Sequence, residues 1–180
     1  MDLKDKALAI AIRAHTGQTR KTDDTPYIEH PKAVAEILES YDFPETVVAA
    51  ALVHDVLEDT EVGEEELRRE LGDEVVDIVT AVSEDQSLEW EDRKERYIKS
   101  VAESSDATKA VSIADKIHNA QSLIEAAEDL GPEVWTMFNR GKAKKIWFER
   151  SLCNAVAQTW SHLLLDRYSE LVLKMENLDD

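Results

Sequence analysis

Val47-Val48-Ala49-Ala50-Ala51-Leu52-Val53-His54-Asp55-Val56-Leu57-Glu58-Asp59 is the stretch that decides how this chain folds. It follows Pro44, a residue suited to a helix start, and it is apolar almost all round until His54. A helix that is apolar on every side sits in the middle of a bundle. The spacing therefore predicts one central helix running from Pro44 to Asp59. Inside it, a charged aspartate beside an imidazole is costly to bury without a partner, and a metal cation would stabilise both. Glu58 and Asp59 follow four residues after His54 and Asp55. On a helix that places each one turn on, along the same face.

Outward from this run the pattern stays helical. Residues 3–16 carry Leu3, Ala7, Ile10, Ala11 and Ala14 on one stripe. GQTRKTDDTPYIEHP (17–31) reads as a loop, with Pro31 placed for the first turn of the next helix and Val34, Ile37 and Leu38 on that helix's buried face. EEELRREL ends at Gly72, DEVVDIVTAVS follows, and SEDQSLE (83–89) is a polar loop. WEDRKERYIKSVAES and DATKAVSIADKIHNAQSLIEAAEDL are two more helices, the second closed by Gly131 and Pro132. From Pro132 to about Met175 only Gly141 interrupts, which gives one short helix and one or two long ones. The expected fold is all-α, a compact multi-helix bundle, with residues 1–180 as a single domain. Only 5 glycines and 4 prolines support that class against a strand-and-turn architecture.

The chain carries 21 basic and 39 acidic residues, a net charge of −18. Such a surface repels nucleic acid and anionic membranes, so neither is expected as a partner. A phosphorylated small molecule would need a local basic patch and a metal to reverse the sign within a cleft. No apolar run is long enough to span a bilayer, and the N-terminus lacks a signal-peptide core. The one cysteine, Cys153, rules out an internal disulfide framework, and a cytoplasmic location is expected. Oligomeric state is not encoded in any pattern here, and Trp90, Trp135 and Trp160 suit core and interface equally.

A second polar stripe matches the first. Asp115, His118, Asn119 and Ser122 fall at i, i+3, i+4 and i+7 of a helix whose other face bears Ile113, Ile117, Ala120 and Ile124. If the two stripes face each other, Asp115 completes a site with His54 and Asp55, and His30 joins from a loop end. Two imidazoles and two carboxylates suit Mn, Fe(II) or Zn better than a purely hard ion such as Ca. A metal with open positions activates water and polarises a phosphate oxygen. Glu58 and Asp59 are then candidates for orienting or deprotonating the nucleophile and protonating the leaving group.

PYIEHP (26–31), HDVLEDT (54–60), VSEDQSL (82–88) and IADKIHN (113–119), in this order and spacing, resemble the HD-domain superfamily of metal phosphohydrolases. More narrowly they resemble the small alarmone hydrolase branch of the RelA/SpoT homologues. The likeness runs from about residue 14 to residue 124 and continues more weakly through VWTMFNRGKAKKIWFERSL, within the helices of 132–176. It implies an HD-type bundle that removes the 3′-pyrophosphate from the guanosine alarmones ppGpp and pppGpp, using Mn2+. It also implies His30, His54, Asp55 and Asp115 as metal ligands and Glu58 and Asp59 as catalytic carboxylates. Arg20 and Lys21 would contact the nucleotide base, and Asn119 and Ser122 the ribose and phosphate. Lys116, with Lys142, Lys144 and Lys145, would supply positive field, while Trp147 and Phe148 resemble an aromatic pair near the pocket but equally suit the core. The loop RKTDDTPYI is one residue longer than the family's usual form and lacks its glycine. That departure keeps a sister activity on another nucleotide or a phosphorylated cofactor as the alternative. A non-catalytic module binding metal or nucleotide is the third reading, against which the intact Glu58 and Asp59 argue.

Overall fold

The computed structural model describes residues 2–20 and 24–180. Lys21, one of the expected base contacts, lies outside the described residues. Among the described residues, ten α-helices and one 3-10 helix make up the regular structure: α1 Leu3–Ala14, α2 Glu29–Glu39, α3 Glu45–Leu52, α4 Val56–Asp59 and α5 Glu64–Leu71 in the first half. α6 Asp73–Val82, α7 Trp90–Glu103, α8 Asp106–Leu130, the 3-10 helix Gly131–Met137, α9 Gly141–Ala157 and α10 Leu163–Glu176 follow. Among the described residues the sole β pairing is an isolated bridge between Thr19 and Pro26 that closes the neck of the loop before α2. The all-α expectation holds. No helix among the described residues is long and apolar enough to cross a membrane.

α3 is the hub. Val47 through Leu52 are all buried, and α1, α2, α6 and α8 pack around them. Burying Val47, Val48 and Leu52 contributes about 1.5–3 kcal/mol each, which makes this short element central to stability. α8 is the second axis and lies against α10, α2, α3 and α6. Its start is fixed by Ser105, whose hydroxyl accepts from the Thr108 amide at 3.2 Å. α5 and α6 meet at Gly72, whose backbone stands at φ 87° and ψ 169°, a conformation open essentially to glycine alone.

The central helix does not run on to Asp59. It ends at Leu52, turns through Val53–Asp55, and restarts as α4. The cause is local. In a continuing helix the Ala51 carbonyl would accept from the Asp55 amide, and here the His54 ring bonds that carbonyl at 2.7 Å. Val53 and Val56 close tighter i→i−3 bonds instead, at 3.2 and 3.1 Å. His30 also differs from its expected place at a loop end: α2 begins at Glu29, so His30 and Pro31 both lie in its first turn. Gly141 separates a short helix from two long ones as expected: it starts α9, and the short segment before it is 3-10.

Candidate metal centre and catalytic cleft

Four side chains from three elements meet at the break after α3. His30 comes from α2, His54 and Asp55 from the turn, and Asp115 from the middle of α8. His30 Nε2 lies 3.1 Å from Asp115 Oδ1 and 3.6 Å from Asp55 Oδ2. His54 Nε2 lies 3.0 Å from Asp55 Oδ2 and 3.7 Å from Asp115 Oδ1. One donor atom each from His30, His54 and Asp115 fall within 4.8 Å of one another, the spacing of ligands around one ion.

Each imidazole turns its other nitrogen outward. His54 Nδ1 is bonded to the Ala51 carbonyl, which makes it the donor and leaves Nε2 with a lone pair. That Nε2 is buried and makes no hydrogen bond. His30 Nδ1 meets His118 Nδ1 at 2.7 Å, so its Nε2 is likewise the nitrogen that faces inward. An orphaned imidazole nitrogen between two carboxylates fits a divalent cation in donor type and in charge.

Protonation follows the same demand. Burial, the largest influence, pulls the His54 imidazolium down, but Asp55 and Asp115 more than offset it and hold its pKa well above the usual imidazole value. Burial pushes Asp115 up, and Lys116, His30 and His54 outweigh it, so the carboxyl stays well below its ordinary range. Asp55 is lowered in the same way, chiefly by His54 against its burial. His30 goes the other way, lowered by burial in spite of Asp115.

Glu58 and Asp59 flank this centre but do not project as a simple continuation of the His54–Asp55 face. Glu58 turns toward the loop after α6, where its two oxygens accept from the Glu84 amide at 2.8 Å and Gln86 Nε2 at 2.9 Å. Asp59 Oδ2 accepts from the Tyr27 hydroxyl at 3.3 Å, and its backbone carbonyl accepts from Gln18 Nε2 at 2.9 Å. Burial, helped by the charge of Asp55, raises both carboxyl pKa values from their ordinary values. Proton acceptors poised nearer neutrality are what acid–base chemistry at working pH requires.

The expected substrate contacts divide. Arg20, only 8% exposed, reaches Asn119 Oδ1 at 3.4 Å and Ser122 Oγ at 3.3 Å, so these three form one group. Lys116 Nζ sits 2.7 Å from Asp115 Oδ2 and over the Tyr97 ring. A cleft of about 410 Å³ opens over all of this, lined by Arg20, Lys116 and Asn119 as well as the imidazoles and carboxylates. Lys142 is drawn away to the Leu178 carbonyl and Asp180, and Lys144 to Glu91, so neither serves this cleft. Phe148 is buried, whereas Trp147 is half-buried.

Two groups here are ones that periodicity does not single out. The Tyr27 hydroxyl donates to Asp55 Oδ2 at 2.5 Å as well as to Asp59, so it joins a carboxylate of the centre to a flanking one. Glu84 presents its amide to Glu58 while its carboxylate pairs with Arg93 and Lys94 at 2.9 and 2.5 Å. Both lie inside the motifs PYIEHP and VSEDQSL, in which residue spacing alone marks only the histidine.

The family model for the HD domain matches residues 7–140. The guanosine-3′,5′-bis(diphosphate) 3′-pyrophosphohydrolase MESH1 of Drosophila melanogaster is 36% identical over 148 residues, covering 78% of this chain and 80% of that protein. A solved structure described as a metazoan orthologue of SpoT that hydrolyzes ppGpp superposes with a TM-score of 0.82 at 27% identity, over 99% of this chain and 98% of that one. A crystal structure of a Listeria monocytogenes protein superposes with a TM-score of 0.76 at 35% identity, over 81% of this chain and 97% of that one.

Proposed function

The chain belongs to the HD-domain family, and on that premise we propose that it is a divalent-metal-dependent hydrolase that removes the 3′-pyrophosphate of ppGpp and pppGpp. The observation that carries this reading is the buried His54 Nε2, which has no hydrogen bond and faces Asp55 and Asp115, with His30 beside it and two flanking carboxylates of raised pKa. We assign His30, His54, Asp55 and Asp115 as metal ligands and Glu58 and Asp59 as the acid–base pair. Mn2+ is the ion proposed, with Fe2+ and Zn2+ suited to the same donor set. When bound, such an ion supplies Lewis-acid activation of water and of a phosphate oxygen.

The protein's own groups do the rest. Water attacks the phosphorus bonded to the 3′ oxygen, that P–O bond breaks, and pyrophosphate leaves from a free 3′ hydroxyl. Glu58 and Asp59, held by Glu84, Gln86 and Tyr27, take the proton from the attacking water and return one to the 3′ oxygen. Arg20, Asn119 and Ser122 form a joined donor–acceptor group for the nucleoside, and Lys116 steadies the phosphate beside Asp115. Residues 1–180 act in this reading as one HD-type unit in a reducing cytoplasm, where the lone Cys153, its thiol pKa raised by burial, stays inert.

Pyrophosphate release from ppGpp is the test, run with and without Mn2+ and with Asp59→Ala beside the wild type. Metal-dependent release that the variant loses supports the assignment. A protein that binds metal and releases nothing from ppGpp would move the activity to another phosphorylated nucleotide or cofactor, the reading that the longer 20–27 loop keeps open.

A further inference from the structure

Within the stripe Asp115, His118, Asn119 and Ser122, His118 has no part in the hydrolase reading, yet it touches a ligand of the metal centre. α8 packs along α2, and Asp115 and His118 stand one turn apart on it, so both reach one ring, that of His30. Asp115 Oδ1 lies 3.1 Å from His30 Nε2, and His118 Nδ1 lies 2.7 Å from His30 Nδ1. One helix thus grips the imidazole at both of its nitrogens. The Tyr27 and His54 rings stand edge-on to it at 5.8 and 5.1 Å, which sets the plane of the ring but not which nitrogen carries the proton.

That choice decides whether His30 can bind an ion. A neutral imidazole has one N–H and one lone pair, and a ligand nitrogen must offer the lone pair. Two acceptors compete for the proton. With the proton on Nε2, the ring donates to Asp115 and no lone pair faces the centre. With it on Nδ1, the ring donates to His118 and Nε2 is open. A contact of 2.7 Å between two ring nitrogens needs a single proton between them, since two lone pairs or two N–H groups would repel. The outward partner of a ligand imidazole is commonly a carboxylate, a backbone carbonyl or a water. His54 uses the Ala51 carbonyl, and His30 is only 2% exposed, which disfavours water. An imidazole serves in place of a carboxylate without adding negative charge. That matters in a cleft already lined by Asp55, Glu58, Asp59 and Asp115 that must admit a phosphorylated substrate.

We propose that His118 is a positioning residue of the metal centre: its Nδ1 accepts the His30 Nδ1 proton and so holds His30 Nε2 open for a divalent cation. This rests on the metal assignment above, which makes His30 a ligand. The proton between the two rings then belongs to His30, and His118 carries its own on Nε2. The two imidazole ligands are held by different devices. His54 depends on a backbone carbonyl that no substitution removes, and His30 on a side chain that one substitution does.

Mn2+ affinity, read from the electron paramagnetic resonance of the free ion, tests this in His118→Leu and His118→Asn. The Asn side-chain carbonyl can accept where Nδ1 does, whereas Leu fills the space without an acceptor. His118→Leu weakens Mn2+ binding by a factor of about 10 to 100, the usual cost of losing the outer partner of a ligand. His118→Asn brings the affinity back toward that of the wild type. His118→Ala removes the acceptor without adding an apolar side chain, and keeps the test open should His118→Leu fold poorly. His30→Ala separates positioning from a general structural role: in that background His118→Leu makes no further difference, because the ring it served is gone. A His118→Leu protein that binds Mn2+ as the wild type does, or one weakened equally with and without His30, overturns the proposal. A wild type that binds no divalent cation overturns the metal assignment, and the proposal with it. If His118→Leu weakens binding only where His30 is present, while the wild type releases no pyrophosphate from ppGpp, the reaction proposed above fails and the role of His118 stands.

Discussion

With Nδ1 committed to the Ala51 carbonyl, His54 can satisfy Nε2 only with a proton or a metal ion. Asp55 and Asp115 raise its pKa against burial, so protons and an incoming ion compete for the same nitrogen. Metal binding near pH 7 is therefore expected to release about one proton, and affinity falls as pH falls and the proton competes harder. Calorimetry in buffers of different ionisation enthalpy measures this directly, and zero release would remove His54 from the ligand set. At the flanking carboxylates, Glu58→Ala and Asp59→Ala should each slow turnover by a factor of about 10² to 10⁴ with bound metal retained. Near-wild-type rates in both would defeat their assignment. His54 and Asp55 stood out in the sequence because a charge inside an apolar helix demands an explanation, and Asp115 and His118 because they share one polar stripe. Tyr27 did not, since a tyrosine near a loop carries no such conflict until tertiary structure sets it against a partner.

The segment 83–89 shows how an element without regular structure serves the site. It spans α6 and α7, and Arg93 from the first turn of α7 bonds back to Gln86 Oε1 at 2.8 Å while pairing with Glu84. Glu84 and Gln86 in turn hold both oxygens of Glu58, so this short loop fixes a carboxylate from α4. The Gln86 bond favours the ionised form of Glu58, against the burial that raises its pKa. Removing it in Gln86→Ala lifts that pKa further. If Glu58 accepts the proton, the acid limb of the pH–rate profile moves to higher pH, and kcat below neutrality falls while the plateau at higher pH changes less. A profile that stays in place would show that Glu58 does not govern the acid limb. Helix identities were readable from period and caps, as α5, α6 and α8 show. The break after Leu52 was not, because the event that makes it, a side chain taking a backbone acceptor, has no signature in hydrophobic spacing.

At the scale of the whole molecule, a net charge of −18 sets every exposed acidic group against its neighbours. The ion pairs that might offset this are mostly at the surface, such as Arg13 with Glu66 and Arg150 with Glu176, whose basic partners are more than half exposed. Pairs of that kind contribute about 0–1 kcal/mol each, and salt screens them along with the repulsion. Repulsion, though, sums over all the excess charges and acts across the compact state, and unfolding relieves it. At low ionic strength the screening length is about 30 Å, long enough for charges on opposite faces to interact, and it shortens to about 3 Å in 1 M salt. Salt thus removes more repulsion than attraction. Raising NaCl from low to molar concentration is expected to raise the thermal midpoint, by several degrees if it adds about 1 kcal/mol. A midpoint that drops with salt would mean that surface pairing, not repulsion, governs this fold.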